Sequence, residues 1–233
     1  MAVMTASLKL THQIREKSEG TFLSAGGDLL SRKLFFEQSP KDALRFAIDL
    51  YQAHSTKEIL RNTSVIMMVH QAMYHYGVSG VQDMMTPYMY CAEEKILDKY
   101  LEPLAKAGVG VVVTEQTLMN IGRGFSVRYL GFVSGGEGAD NIKLYECLDA
   151  YTEGKRKQMK NSNTVFQNAL RLFYANDFYQ ARNTFKEVLR MDEQDEIARW
   201  YLFHCEYQLN RNEAEVSHGL FENVIRDREY DKV

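Results

Sequence analysis

The residues best equipped for chemistry are two histidines, three cysteines and one glycine-rich loop. His70 and His75 carry imidazole nitrogens that can ligate a metal or move a proton. On adjoining strands without matching carboxylates, both are expected to be structural or exposed. Gly135-Gly136-Glu137-Gly138 has the flexibility of a phosphate-cradling loop, but no Lys-Ser/Thr follows and a strand pattern comes next, so it is not a P-loop. Cys91, Cys147 and Cys205 are odd in number and have no CxxC spacing, which argues against zinc chemistry, redox chemistry or a disulfide framework. Each is expected to behave as a small buried hydrophobe. Nothing in the spacing marks a Ser/His/Asp or Cys/His set as activated.

The chain that must position these groups has 233 residues, 45% hydrophobic and 25% charged, the balance of a globular protein rather than a disordered one. With 28 Lys plus Arg against 31 Asp plus Glu, the formal charge is -3. That excludes a generalised nucleic-acid binder, which needs a basic excess. The three prolines allow long regular elements and exclude polyproline recognition segments. Apolar runs such as Val65–Val69 and Val109–Val113 are strand-length, far short of a spanning helix. The first residues, MAVMTASLKLTH, lack the charged start and apolar core of a signal peptide. A soluble, cytoplasmic chain without a membrane segment is expected.

Two regions follow from the periodicity. In residues 1–152, Leu8–Lys17 reads as a short helix and Thr21–Phe36 as a hairpin turning on Gly26-Gly27-Asp28. Ser39-Pro40 with Asp42 starts a helix whose predicted core face is Ala43, Phe46, Ala47, Leu50 and Tyr51. Val65–Val69 is a strand, with 72–80 expected as its hairpin partner. Cys91–Ala107 is an amphipathic helix with Ile96, Leu97, Tyr100, Leu101, Leu104 and Ala105 inward, ended by Gly108. Val109–Val113 suits a central strand, and Phe125–Val133 and Ile142–Leu148 close the sheet. In residues 153–233 the period is helical from Thr164 onward, with Asp177 as an N-cap and Ala169 and Ala181 as close-approach points. This spacing resembles a tetratricopeptide helical hairpin. Lys155-Arg156-Lys157 and Lys160 are expected in the connector as a solvated charged face.

In order, the segments GTFLSAGGDLLSRKLFFEQSPKDALRFAIDLYQ, MMVHQAMYHYGVSG, LEPLAKAGVGVVVTEQTLMN and FSVRYLGFVSGGEGADNIKLYECLD resemble the class III adenylyl/guanylyl cyclase catalytic domain. They are similar to its Gly-Asp turn and third strand, its "IHTG…G…G" strand pair, its helix leading into a core strand, and its closing "R-x-LG…G…i-x-vYE" strands. The helices that follow are like the tail of bacterial cyclases of this type. The resemblance implies an α+β, ferredoxin-like cyclase sheet followed by an all-α tetratricopeptide-like region. It also implies that the first strand is lacking, since only 27 residues precede Asp28.

The family closes a ribose 3′-hydroxyl onto the α-phosphate using two metal ions held by two aspartates, with an Asn and an Arg stabilising the transition state across a dimer interface. Asp28 matches the turn aspartate and is the metal-ligand candidate, its alternative being an aspartate that bonds its own hairpin backbone. The other aspartate has no counterpart. Ser24 stands where the adenine-selecting lysine would be. The Asn/Arg pair falls on Ile96 and Tyr100 in one register and on Glu93 and Leu97 in another. The resemblance therefore implies a degenerate, non-catalytic signalling or assembly module without a cofactor. Its expected partners are proteins: a homo- or heterodimer through the cyclase-type face, or a strand completing the sheet edge. The alternatives are an active cyclase using Mg²⁺ or Mn²⁺, within a longer chain or heterodimer, and a scaffold whose helical tail alone binds a peptide.

Overall fold

The computed structural model describes residues 22–25, 33–36, 39–58, 64–81, 86–136, 138–210 and 221–227. The chain is mixed α+β. Near its start, β1 (Phe22–Ala25) and β2 (Lys33–Phe36) pair antiparallel with Phe22 opposite Phe36, the hairpin that the glycines predict. The turn itself, with Asp28, lies outside the described residues, as does the expected helix over Leu8–Lys17. Helix α1 (Pro40–Thr56) starts as its sequence predicts. Ser39 caps it by accepting the Asp42 N–H at 3.2 Å, and Pro40 fills the first turn, where a missing N–H costs nothing.

The buried face of α1 differs from expectation. Leu44, Phe46, Ala47 and Ile48 are buried, whereas Ala43, Leu50 and Tyr51 are only half-buried. The helix packs two ways at once. Leu44, Ala47 and Ile48 meet the sheet at Val111 and Val113, while the Phe46 ring lies 5.5 Å from that of Phe36 in β2. A single-stripe reading of the periodicity averages these two faces and points between them.

Four strands form the main sheet: β3 (Met67–Val69), β6 (Val111–Thr114), β7 (Val127–Val133) and β8 (Ile142–Cys147), in the order β3-β6-β8-β7. β3 runs parallel to β6, and the other pairs are antiparallel. All four β6 residues are buried, as a β-branched run in a doubly covered strand requires. The predicted hairpin between β3 and residues 72–80 does not form. β4 (His75–Ser79) pairs instead with β5 (Thr86–Tyr90) in a separate two-stranded arm. The chain leaves the sheet just after β3 because the Gln71 N–H donates to the Thr117 hydroxyl at 2.8 Å. The β5 strand runs against its sequence pattern, which Pro87 weakens.

Helices cover both faces of the sheet. On one side, α1 and α3 (Glu115–Ile121) bury Val111, Val113 and Cys147. On the other, α2 (Ala92–Lys106) contributes Leu97, Tyr100 and Leu104, while Ile96, Leu101 and Ala105 are half-buried. Gly108 takes a φ of +77° just beyond α2, the left-handed geometry of a helix stop.

A 3₁₀ turn at Leu148–Ala150 leads into α4 (Glu153–Tyr174), α5 (Phe178–Met191), α6 (Glu196–Asn210) and α7 (Phe221–Asp227). α4 begins well ahead of Thr164, so Lys155, Arg156, Lys157 and Lys160 lie on its first turns rather than in a connector. Ala169 and Ala181 are fully buried where α4 and α5 pack, and Asp177 caps α5 by accepting the Gln180 N–H at 3.1 Å. One buried cluster runs from Leu97 and Leu104 through Val112, Leu130 and Leu144 to Phe166, Phe185, Tyr201 and Phe221. The late helices thus share a core with the sheet. Among the described residues, no helix is long and apolar enough to cross a membrane.

The tail locks to the sheet at an irregularity in β7. Tyr129 pairs with Tyr145 and Gly131 with Leu144, so Leu130 is an extra, bulged residue. Its freed carbonyl accepts the Tyr201 hydroxyl at 2.7 Å. Gly131 follows at φ +148°, and a Cβ there would stand 2.5 Å from the Tyr201 oxygen and 3.0 Å from the Phe221 Cβ. Gly131→Ala should therefore lower stability by about 1–3 kcal/mol through strain and overpacking, read as a drop in the denaturant midpoint. Unchanged stability would show that the tail does not press on this bulge.

Candidate functional site

Two polar clusters stand out from the apolar packing. The first joins the sheet to the late helices. Arg128, on β7, is 2% exposed, and its guanidinium lies 3.7 Å from the centre of the Phe166 ring of α4. Its Nη2 donates to Asp195 Oδ2 at 2.5 Å, and its Nη1 stands 3.9 Å from Glu146 Oε2 on β8. Asp195 uses its other oxygen to accept the Ala198 N–H at 3.0 Å, which ties the start of α6 to the same group. Glu146 also accepts the Tyr151 hydroxyl at 2.5 Å, and that hydroxyl oxygen accepts the Gly110 N–H at 2.8 Å.

Two carboxylates thus share one guanidinium, and Asp195 holds it more closely. Glu146 is the carboxylate left short of charge. Burial pushes its pKa up, opposed by Arg128 and the Tyr151 hydrogen bond. This cluster is built like a joint. Its three charged side chains, Arg128, Glu146 and Asp195, are all buried.

The second cluster is small and lies where β3, β6 and the start of α2 meet. His70 follows β3 directly. Its Nδ1 lies 3.0 Å from the Thr114 hydroxyl at the end of β6. Its Nε2 is buried and has no hydrogen-bond partner among the described residues. Cys91, the N-cap residue of α2, is buried, and its thiol donates to Glu93 Oε2 at 2.8 Å. One ligand atom each from His70, Cys91 and Glu93 falls within 4.8 Å of the others. Burial lowers the His70 pKa, while the hydrogen bond from Cys91 lowers that of Glu93. The Cys91 thiol is pushed up to about 11, chiefly by burial. Tyr74 is also pushed up to about 12, by burial and by the charges of Cys91, Glu93 and Asp98.

The cysteine reading holds in that all three are buried and free of disulfides. Yet Cys91 also belongs to a potential ligand set, which its position alone could not reveal. His70 and His75 are not on adjoining strands: His75 lies in the β4–β5 arm and is exposed, while His70 joins the cluster. Of the positions tied to the cyclase resemblance, Leu97 and Tyr100 are buried core residues. Ile96 is half-buried against the same core. Glu93 faces Cys91. Asp28 lies outside the described residues, and the side chain of Ser24 is not described.

The joint makes stability depend on pH. Arg128→Met should cost about 3–5 kcal/mol, because it strands two buried carboxylates. Glu146→Gln keeps an oxygen for the Tyr151 hydroxyl and balances Arg128 against Asp195 alone, so its cost should be far smaller. A raised folded-state pKa means that the Glu146 contribution is fully present below the ordinary value of 4.5 and is lost as pH climbs through the raised value. Urea unfolding at about pH 5 and about pH 8 should show the stability difference moving in favour of the glutamine variant as pH rises. A difference independent of pH would mean that Glu146 ionises normally. No family model, no curated protein and no solved structure matches this chain.

Proposed function

We propose that this chain is a degenerate class III cyclase-like module that works by assembly with protein partners, without turning over a nucleotide itself. The observation that carries this reading is the occupancy of α2. In either register of the resemblance, the positions for the transition-state amide and cation hold Ile96 and Tyr100, or Glu93 and Leu97. Leu97 and Tyr100 are buried among the core residues of the sheet, and Glu93 is engaged by the Cys91 thiol. None of these side chains can place a positive charge or an amide on a phosphate. Loss of one such donor costs about 2.7–4 kcal/mol of transition-state stabilisation, so loss of both leaves negligible turnover.

The sheet supports the assembly half of the proposal. Among the described strands, β3 pairs only with β6. Its other edge offers backbone groups to a partner strand, the geometry of β-augmentation. A homo- or heterodimer through the cyclase-type face is the partner arrangement that the resemblance suggests.

The full chain with ATP or GTP and Mn²⁺ should yield no cyclic nucleotide or pyrophosphate above the blank. Turnover that disappears in Asp28→Ala would overturn the proposal and make the protein a cyclase. Met67 donates inward to the Gly110 carbonyl at 2.9 Å, so Met68 is the residue whose amide faces the open edge; its exchange should be fast in the isolated chain and slow with a partner bound. Protected edge amides in a monodisperse monomer would count against strand completion.

A further inference from the structure

We propose that His70, Cys91 and Glu93 form a binding site for a zinc-class divalent cation, with a fourth coordination position left for water or an external ligand. This site is independent of the cyclase reading and follows from three ligand-bearing side chains that the fold brings within 4.8 Å of one another.

The Thr117 hydroxyl donates to the Val69 carbonyl at 3.4 Å, and its oxygen accepts the Gln71 N–H at 2.8 Å. Thr114 Oγ1 lies 2.9 Å from Thr117 Oγ1 and 3.0 Å from His70 Nδ1, and either hydroxyl of the threonine pair can donate. With Thr117 donating to Val69, Thr114 donates to Thr117 and accepts from His70 Nδ1–H. Metal binding selects that arrangement, in which the proton sits on Nδ1 and Nε2 presents its lone pair. That nitrogen is buried without a hydrogen-bond partner among the described residues, a costly state for a polar atom unless something binds it. One ring nitrogen of His70 lies within 4.8 Å of the Cys91 sulfur and a Glu93 carboxylate oxygen, and Nδ1 is the one that Thr114 engages.

The threonine chain is therefore the outer shell that metal-bound histidines use to fix tautomer and ring orientation. Zinc bound at about 2.0–2.3 Å in a tetrahedron sets ligand atoms about 3.3–3.8 Å apart, so the three groups close on it with movements of about 1 Å. Sulfur, imidazole and carboxylate together suit zinc better than magnesium or calcium, which take oxygen ligands. Binding releases the Cys91 proton to solvent and exchanges the S–H···O bond to Glu93 for two bonds to the metal. The position of Cys91 and Glu93 at the N-terminal end of the 15-residue α2 stabilises both anions through the helix dipole. Three protein ligands with one open place is the coordination of catalytic rather than structural zinc.

The test uses the full chain, reduced and stripped of metal by chelator, titrated with Co²⁺ and then competed with Zn²⁺. A thiolate-to-cobalt charge-transfer band should saturate at one equivalent and be displaced by zinc. Cys91→Ala should abolish the band. Glu93→Gln, at a half-exposed position that leaves the fold intact, should weaken binding at least tenfold. Thr114→Val should weaken it 10–100-fold by releasing the histidine tautomer. Absence of the band in the parent chain, its persistence in a folded Cys91→Ala, or unchanged affinity in Glu93→Gln would overturn the site.

Discussion

Arg128 is the group on which the architecture turns. A guanidinium 2% exposed is tolerated only where its charge is met; here two carboxylates and an aromatic face meet it, while its Nε has no hydrogen-bond partner among the described residues. Here the needs of one side chain draw together β7, β8, the start of α6 and the Phe166 ring of α4. The partners are far apart in sequence but adjacent in space. Tyr151 extends the same set of contacts to Gly110 at the entry of β6. The apolar packing around it, from Leu130 to Tyr201 and Phe221, supplies the bulk of the stabilisation. The ionic group favours one docking geometry, because a shifted tail would take Asp195, the closer carboxylate, away from Arg128 and leave only Glu146 at 3.9 Å. Hydrophobic burial is non-directional, whereas this group is not.

That placement bears on the cyclase resemblance. In the closing strands, the letters that carry the likeness are Arg128, Leu130-Gly131 and Tyr145-Glu146. Each has a local structural role. Arg128 and Glu146 form the joint, and Leu130 and Gly131 form the bulge under Tyr201. Tyr145 packs on Tyr129 with ring centres 5.1 Å apart. These residues are accounted for by the strands and helices that they hold together, without any catalytic role. Likeness there speaks to folding requirements more than to chemistry.

Much of the secondary structure was legible because it depends on neighbours in sequence. The Ser39-Pro40 start, the Asp177 cap, the Gly108 stop and the alanines at the α4–α5 crossing all act within a turn or two. What sequence patterns miss depends on distant partners. β3 and β4 are close in sequence, but β3 pairs with β6, some forty residues further on. α1 has two buried faces because a hairpin covers its back. The polar N-terminal turns of α4 hide its start, since exposed positions show no apolar period. The His70, Cys91 and Glu93 cluster was out of reach for the same reason. Two elements separated by a whole arm meet there, and no spacing rule connects a histidine after one strand to an N-cap cysteine.

The joint also sets an order of events during synthesis. Arg128 leaves the ribosome 67 residues before Asp195. At about 5–20 residues per second, that interval is roughly 3–13 s. Throughout it, Arg128 has Glu146 at 3.9 Å but not its closer carboxylate, and the Leu130 carbonyl awaits a tyrosine not yet translated. The nascent sheet must keep that face in water until the last helices arrive. The contacts that seal this face of the sheet therefore come from the helices made last among the described residues.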